Sequence, residues 1–290
     1  FEYSTNGSNW ISSKDSLIAG LTPGTDYQVR AKFGKHVTEV VNAKTYPVIE
    51  LENGGLEEAE IVRGSDDAGF FKPKDYGAQY EWPNWATLNA LSAGYSWKTA
   101  YSFNSRSGTR PTSDKPEGVD GNAAVRIITL AYGGGGTDSD PKSFTHSELF
   151  LGEFIEEGSI KNYGISYTSR PTGIRFFYKC ISNMNNDVSE VKIQIYNDQI
   201  LLGEGIFQTG AKDSYADKTL YIDYKNDMNS LLLEPNRLSV VFKSGVKENL
   251  SKSDLKQFGS GVTNSQEDPM WRGNELFIDE EIFEERKFKG

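Results

Sequence analysis

Through the C-terminal part of this chain, apolar residues recur at every second position. Val191, Ile193 and Ile195 alternate with Lys192 and Gln194, while Ile174, Phe176 and Tyr178 alternate with Arg175 and Phe177. Leu220, Ile222 and Tyr224 repeat the pattern, as do Leu276 and Ile278. A period of two sends successive side chains to opposite sides of an extended strand, so each such run buries one side only. Leu238 to Phe242 is nearly all apolar, which predicts a central strand. Clusters of turn residues separate the runs: Asn183-Met184-Asn185-Asn186-Asp187, Lys225-Asn226-Asp227 and Glu234-Pro235-Asn236. Short strands so punctuated predict an antiparallel sandwich rather than alternating strands and helices.

Helical spacing is scarce. Ser251 to Phe258 predicts one or two turns, capped by Ser251 and stopped by Gly259. Asn84 to Ala93 places Ala86, Leu88, Ala90 and Leu91 at helical spacing before Gly94, yet Trp85 and Thr87 suit an extended chain equally. Tyr132 to Pro141, containing Gly133-Gly134-Gly135-Gly136, is expected to be a loop. Its glycines precede no lysine and helix, so it is no phosphate cradle. Aromatic residues make up 12% of the 290, and 29 are glycine, a composition of strands and turns.

Charge and cysteine content exclude several functions. A net charge of −10 repels polyanions, and no basic stripe offsets it, so nucleic acid is not an expected partner. The single cysteine, Cys180, rules out intrachain disulfides and a cysteine-built zinc site, and the two histidines, His36 and His146, leave little for transition-metal chemistry. No run approaches the length of a membrane span. An export signal is expected to have been removed or to lie upstream of Phe1, with room there for a lipid anchor.

Residues 1–46 read as a separate module. Phe1-Glu2-Tyr3-Ser4 followed by Leu17-Ile18-Ala19-Gly20-Leu21-Thr22-Pro23-Gly24-Thr25-Asp26-Tyr27 resembles the second half of a fibronectin type III or immunoglobulin-like domain. Leu21 and Tyr27 are its expected core residues, with Tyr27 placed for a tyrosine-corner hydrogen bond. Such a sandwich runs to about 100 residues, so the chain is expected to begin part-way through it, with the junction at Tyr46-Pro47.

Residues 47–290 carry a second resemblance, in six segments. Leu51-Glu52-Asn53-Gly54-Gly55-Leu56-Glu57 is similar to the Asn-x-Gly-Phe-Glu opening of carbohydrate-binding jelly rolls, with Leu56 in the aromatic position. Trp82-Pro83-Asn84-Trp85-Ala86-Thr87-Leu88-Asn89, Ala123 to Thr129, and Glu148-Leu149-Phe150-Leu151-Gly152-Glu153-Phe154 follow. Then come Gly164 to Lys179 with Arg170-Pro171 inside it, and Gly273-Asn274-Glu275-Leu276-Phe277-Ile278-Asp279. In this order they resemble the putative carbohydrate metabolism domain family of Bacteroides-type surface proteins. The resemblance implies a jelly-roll β-sandwich related to carbohydrate-binding modules, exported to the periplasm, outer membrane or cell surface of a Gram-negative bacterium. It also implies a structural calcium tying the first and last strands, with Glu57 and Asp279 as ligands; hard oxygens from distant positions suit that ion. The alternative is that both carboxylates are solvated or make a strand-end hydrogen bond.

A glycan needs an aromatic platform with polar groups beside it. Trp82, Trp85, Trp97 and Trp271 are the candidates, and each would serve equally as a core residue of a sandwich this size. Trp82 and Trp85, three apart, point to opposite sides if the chain there is extended, leaving one in the core. Trp271, in the polar stretch Glu267-Asp268-Pro269-Met270-Trp271-Arg272, is the leading platform, with Arg272 beside it. Arg170 and Arg175 are expected to hold loops or carboxylates.

Signs of catalysis are few. The chain has no Glu-x-Asp, no Gly-x-Ser-x-Gly and no His-Glu-x-x-His. His146 near Glu148 is expected to be a solvated loop histidine, and Cys180 to be buried and inert. The leading reading is thus a non-catalytic carbohydrate-binding or accessory protein in surface glycan use. A glycoside hydrolase or lyase with an unrecognised carboxylate pair, and a structural spacer or adhesion component, are the alternatives.

Overall fold

A computed structural model describes residues 1–14, 18, 21–47, 49–63, 78–93, 106–132, 140–258 and 268–284. Eight long strands carry the fold: β1 (Ala124–Tyr132), β2 (Glu148–Ile155), β3 (Gly173–Ile181), β4 (Ser189–Asn197), β5 (Ile200–Thr209), β6 (Lys212–Tyr221), β7 (Arg237–Lys243) and β8 (Trp271–Glu284). Their neighbours run β1-β8-β3-β6 in one sheet and β2-β7-β4-β5 in the other. The chain therefore changes sheet at every connection except the β4–β5 hairpin. That order makes the sandwich a jelly roll, as expected.

The period-two runs set the layers. Val125, Ile127, Ile174, Phe176, Leu276 and Ile278 of the first sheet and Leu149, Val191, Ile193, Leu238, Val240 and Phe242 of the second form one buried cluster. Phe242 is the hub: its ring centroid is 5.8 Å from Phe176 in the opposite sheet and 5.8 Å from Trp85. The Leu238–Phe242 run is β7, flanked by β2 and β4, as its apolar character predicts. The Leu220–Ile222–Tyr224 run divides between the layers. Leu220 belongs to β6, whereas Asp223 and Tyr224 pair with Glu204 and Gly203 of β5.

One side of the sandwich is closed by residues 78–93 and 106–112. Thr109–Thr112 adds to β1 and Trp85–Thr87 adds to β2. Asn89, fully buried, joins the two: its Nδ2 donates to the carbonyls of Tyr80 and Thr109 at 2.7 Å each, and its Oδ1 accepts from the Thr109 amide at 2.9 Å. Both readings of residues 84–93 hold in part, because a short strand runs directly into the helical turn Asn89–Ser92. The Ser251 turn is a 3-10 helix, Lys252–Asp254, with Ser251 and Asp254 capping each other. Gly94, Trp97, Gly133–Gly136 and Gly259 lie outside the described residues.

Trp82 and Trp85 correct the platform expectation. Alternation fails because Pro83 and Asn84 form a tight turn, with Asn84 at φ 66° and the Trp85 amide donating to the Trp82 carbonyl at 3.0 Å. Both rings are 3% exposed, and the Trp82 indole donates to the Leu56 carbonyl at 2.9 Å. Neither is available to a ligand.

Near the N-terminus, Glu2–Ser4, Ile11–Ser12, Asp26–Arg30 and Val41–Lys44 form a four-stranded antiparallel sheet. Tyr27 is buried and its hydroxyl accepts from the Thr22 amide at 2.9 Å, the hydrogen bond expected of it. Leu21 is half-buried, and Leu17, Ala19 and Gly20 lie outside the described residues. No helix among the described residues is long and apolar enough to cross a membrane.

Because Trp85 fills the core against Phe242, Trp85→Ala is expected to destabilise the chain by about 3–5 kcal/mol. The measure is the urea midpoint at unchanged slope. A loss below about 1 kcal/mol would place the ring outside the core.

Candidate functional site

The outward sides of the two sheets differ. On the first sheet Lys179, Glu275, Phe277 and Asp279 point away from the core, yet all four are buried. The segment before β1 lies over them: Asp114 pairs with Lys179, and its carbonyl accepts from the Tyr215 hydroxyl at 2.5 Å. Lys179 also lies 4.2 Å from the Phe277 ring. Around β8 this side is sealed, whereas toward β6 it is open, with Tyr221 65% exposed and the Arg175–Asp217 pair at the surface.

Trp271 and Arg272 lie in that sealed region, which corrects the expectation of an exposed platform. Trp271 is the first residue of β8 rather than part of a loop. It is 8% exposed and packs with Ala131, Met184, Leu255 and Met270, with Lys252 4.8 Å above its ring. Arg272 joins Arg110 and Arg126 around Asp268 and Glu275, and its guanidinium lies 4.0 Å from the Phe258 ring. Arg126 holds Asp268 with two parallel bonds, 2.9 and 3.0 Å, and Glu275 with two more. Burial pulls the Arg272 guanidinium below its usual range against the opposing influence of Glu275. The polar stretch that suggests a loop is therefore the acidic half of an arginine cluster. Arg110 and Arg126 belong to other strands, and local sequence carries no signal of them.

Glu57 and Asp279 sit at one corner. The Glu57 carboxylate accepts from the amides of Asn122 at 2.8 Å and Ala123 at 3.3 Å, directly before β1. Asp279 follows Ile278, the partner of Val125 in β1. Opening and closing segments are thus neighbours across one strand. In the same turn, the Lys115 ammonium donates to the carbonyls of Val119 at 2.9 Å and Gly121 at 2.7 Å. Among the described residues no three His, Cys, Asp or Glu side chains gather where they could hold a metal. Hard oxygens of the kind calcium takes are present here, but the Glu57 carboxylate is engaged by backbone amides and the carbonyls of Val119 and Gly121 by Lys115.

On the second sheet the outward side is open along β4 and β5, while Glu148, Phe150 and Ser239 of β2 and β7 are buried on it. Register places Glu190, Lys192 and Gln194 of β4 opposite Gln208, Ile206 and Glu204 of β5. All the β4 members are half-buried and Ile206 is 50% exposed. Gln194 donates to Glu204 at 3.1 Å and Gln208 to Glu190 at 2.8 Å. Arg237 lies 4.3 Å from the Tyr196 ring and donates to the Asp198 carbonyl at 3.0 Å. Toward β2 the surface rises to Tyr163, 37% exposed, whose ring packs edge-on against Phe150 at 4.8 Å. The Tyr163 hydroxyl donates to Glu148 at 2.7 Å; burial, and then the Glu148 charge, raise the phenol well above its usual value. Glu148 itself is 1% exposed and is held further by Lys161 at 2.7 Å and Lys243 at 3.7 Å. Arg170 and Arg175 behave as expected: Arg170 holds the carbonyls of Ser230 and Leu233, and Arg175 pairs with Asp217.

His146 is buried, not solvated. Its Nε2 lies 2.9 Å from the Lys247 carbonyl and so carries the proton, leaving Nδ1 to accept from the Thr129 hydroxyl at 2.8 Å. The Thr129 and Ser244 hydroxyls are themselves hydrogen-bonded at 2.8 Å. The chain of bonds links β1, the start of β2 and the segment after β7. Glu148 bonds to Lys161 and Tyr163 instead, so the two do not act as a pair. Burial lowers the imidazole below its usual value and outweighs Asp187. Cys180 is buried with its thiol pushed up by burial, as expected of an inert cysteine.

No family model and no curated protein sequence matches this chain. Among solved structures, it is similar to a putative glycoside hydrolase from Bacteroides vulgatus, at 15% identity and a TM-score of 0.43, over 69% of this chain and 85% of that one. It is also similar to carbohydrate-binding modules of the β-sandwich superfamily, at 10% identity and 0.30, over 98% and 84%. The family 11 carbohydrate-binding module of a Clostridium thermocellum cellulosomal cellulase aligns at 7% and 0.28, over 61% and 80%. These likenesses are too partial to transfer any of those proteins' roles.

A neutral buried His146 makes stability pH-dependent. The unfolded chain takes up a proton below the ordinary histidine value near 6.5, whereas the folded chain resists it. The stability contribution is full above that value and is lost as pH falls from it toward the lowered folded-state value. Urea unfolding between pH 7.5 and 5 is expected to weaken by up to about 1.4 kcal/mol per pH unit within that window. His146→Gln is expected to flatten the profile; an identical slope in the variant would assign the effect elsewhere.

Proposed function

We propose that the chain is a non-catalytic carbohydrate-binding or accessory protein of surface glycan use, whose sugar-binding surface is the outward side of β2, β7, β4 and β5. The observation that carries this reading is the row of amide–carboxylate pairs at the surface of β4 and β5, Gln208 with Glu190 and Gln194 with Glu204, with the Tyr163 and Tyr196 rings on the same side. Sugars are bound by that combination, with ring C–H groups on aromatic bodies and hydroxyls on planar polar groups. The resemblance of six sequence segments to the putative carbohydrate metabolism domain family supports the same reading, as does the jelly-roll strand order. We place the domain junction at Tyr46-Pro47 and the site of action outside the cytoplasm, on the same resemblance.

Affinity electrophoresis through gels containing soluble polysaccharides tests the reading. Retardation by at least one glycan is expected, with Tyr163→Ala reducing it at least tenfold while the fold, checked by melting, persists. Equal mobility in every glycan would refute it.

Calcium belongs to this proposal as a structural ion at the Glu57–Asp279 corner. If it binds, saturating calcium stabilises the folded chain by about 3 kcal/mol at a hundred times its dissociation constant. Melting is then expected to drop by about 5–10 °C in EDTA, and Glu57→Ala to remove that dependence. An unchanged melting temperature would leave the Lys115 ammonium as the cation of this corner.

A further inference from the structure

The charges on the open side narrow the class of glycan. Each described cation there already has an anionic or carbonyl partner: Lys161 and Lys243 share Glu148, Lys192 lies 3.5 Å from Glu190, and Arg237 bonds the Asp198 carbonyl. An acidic sugar would have to displace one of these partners. At Lys161 or Lys243 that would leave Glu148, 1% exposed, as a poorly compensated buried charge, which is strongly unfavourable. The acceptors are in the opposite condition. Glu204 takes one amide hydrogen bond, and Glu190 takes one beside its Lys192 contact at 3.5 Å, whereas a carboxylate has about four lone-pair sites. Asp223, opposite Glu204, adds another negative charge. Hydroxyl donors are welcome on this surface and carboxylates or sulfates are repelled.

Spacing gives the direction. The Glu190–Gln208 and Gln194–Glu204 pairs are four residues apart on β4, about 13 Å along an extended strand. Exposed Ile206, opposite Lys192, lies midway and offers an apolar body between two polar pairs. A strip of this length is long enough for a short run of sugar rings lying along β4 and β5.

Resting on the carbohydrate-binding reading above, we propose that this surface binds an uncharged linear polysaccharide, with Glu190 and Glu204 accepting hydroxyls of different sugars of one run and Ile206 covered by the chain between them. The test is titration calorimetry of the full chain with a panel of neutral oligosaccharides of one to six rings (gluco-, manno- and xylo-series), alongside oligogalacturonate and a sulfated dextran. Affinity is expected for a neutral series only, rising with chain length before levelling off, and unchanged between about 0.05 and 0.5 M salt, as befits an interaction without ion pairing. The double variant Glu190→Ala and Glu204→Ala, on the surface and away from the core, is expected to lose at least tenfold with its melting temperature retained. Preferential, salt-sensitive binding of the acidic ligands would overturn the proposal. So would neutral binding that Tyr163→Ala abolishes and the double variant leaves intact; in both cases the broader reading survives. Absence of binding to every glycan would overturn both.

Discussion

Two sheets stay together here because Phe242 touches what each side must bury. Its ring meets Phe176 across the sandwich and Trp85 at the edge, at 5.8 Å in each case, and Phe176 reaches on to Phe207 at 6.2 Å. Edge-to-face and tilted contacts of this kind contribute beyond the area they bury. The flanking layers of Val, Ile and Leu then pack to a fixed depth, and each strand's register follows, because a slip by one residue would turn every buried side chain outward.

That same alternation decides what the exterior can do. With the apolar members turned inward, each sheet presents its polar set on the other side. On the first sheet that set includes Arg126, Glu275 and Lys179, which meet carboxylates, guanidinium groups and aromatic rings from neighbouring segments and vanish from the surface. On the second sheet the polar set meets mainly itself. Glutamate, glutamine and lysine of β4 and β5 pair across one interstrand gap and remain half-exposed. A binding surface results without any cavity having to be carved into the core.

Much of this architecture was legible from residue order alone. Val191, Ile193, Ile195 and the Leu238–Phe242 run predicted strands, faces and even centrality, because burial on one side of a pleat leaves a direct imprint. The tryptophans were not legible in the same way. Trp82 and Trp85 turn on the conformation of Pro83-Asn84, where a left-handed asparagine reverses the chain and cancels the alternation rule. Trp271 looked exposed beside Asp268 and Arg272, but the partners that bury those charges, Arg110 and Arg126, come from strands more than a hundred residues away. The outward place of Lys192 and Gln194 is legible from their alternation with Val191, Ile193 and Ile195. Their cross-strand partners required the hairpin register.

The position of β8 has a consequence for how the molecule is made. This strand, ending at Glu284, lies between β1 and β3 in the middle of the first sheet, so neither can complete its ladder until the ribosome has released the segment. Until then both flanks of the gap are unpaired edges, open to wrong partners. The first layer therefore closes only after β8 has emerged from the ribosome, whereas the strands of the second layer are all made before it.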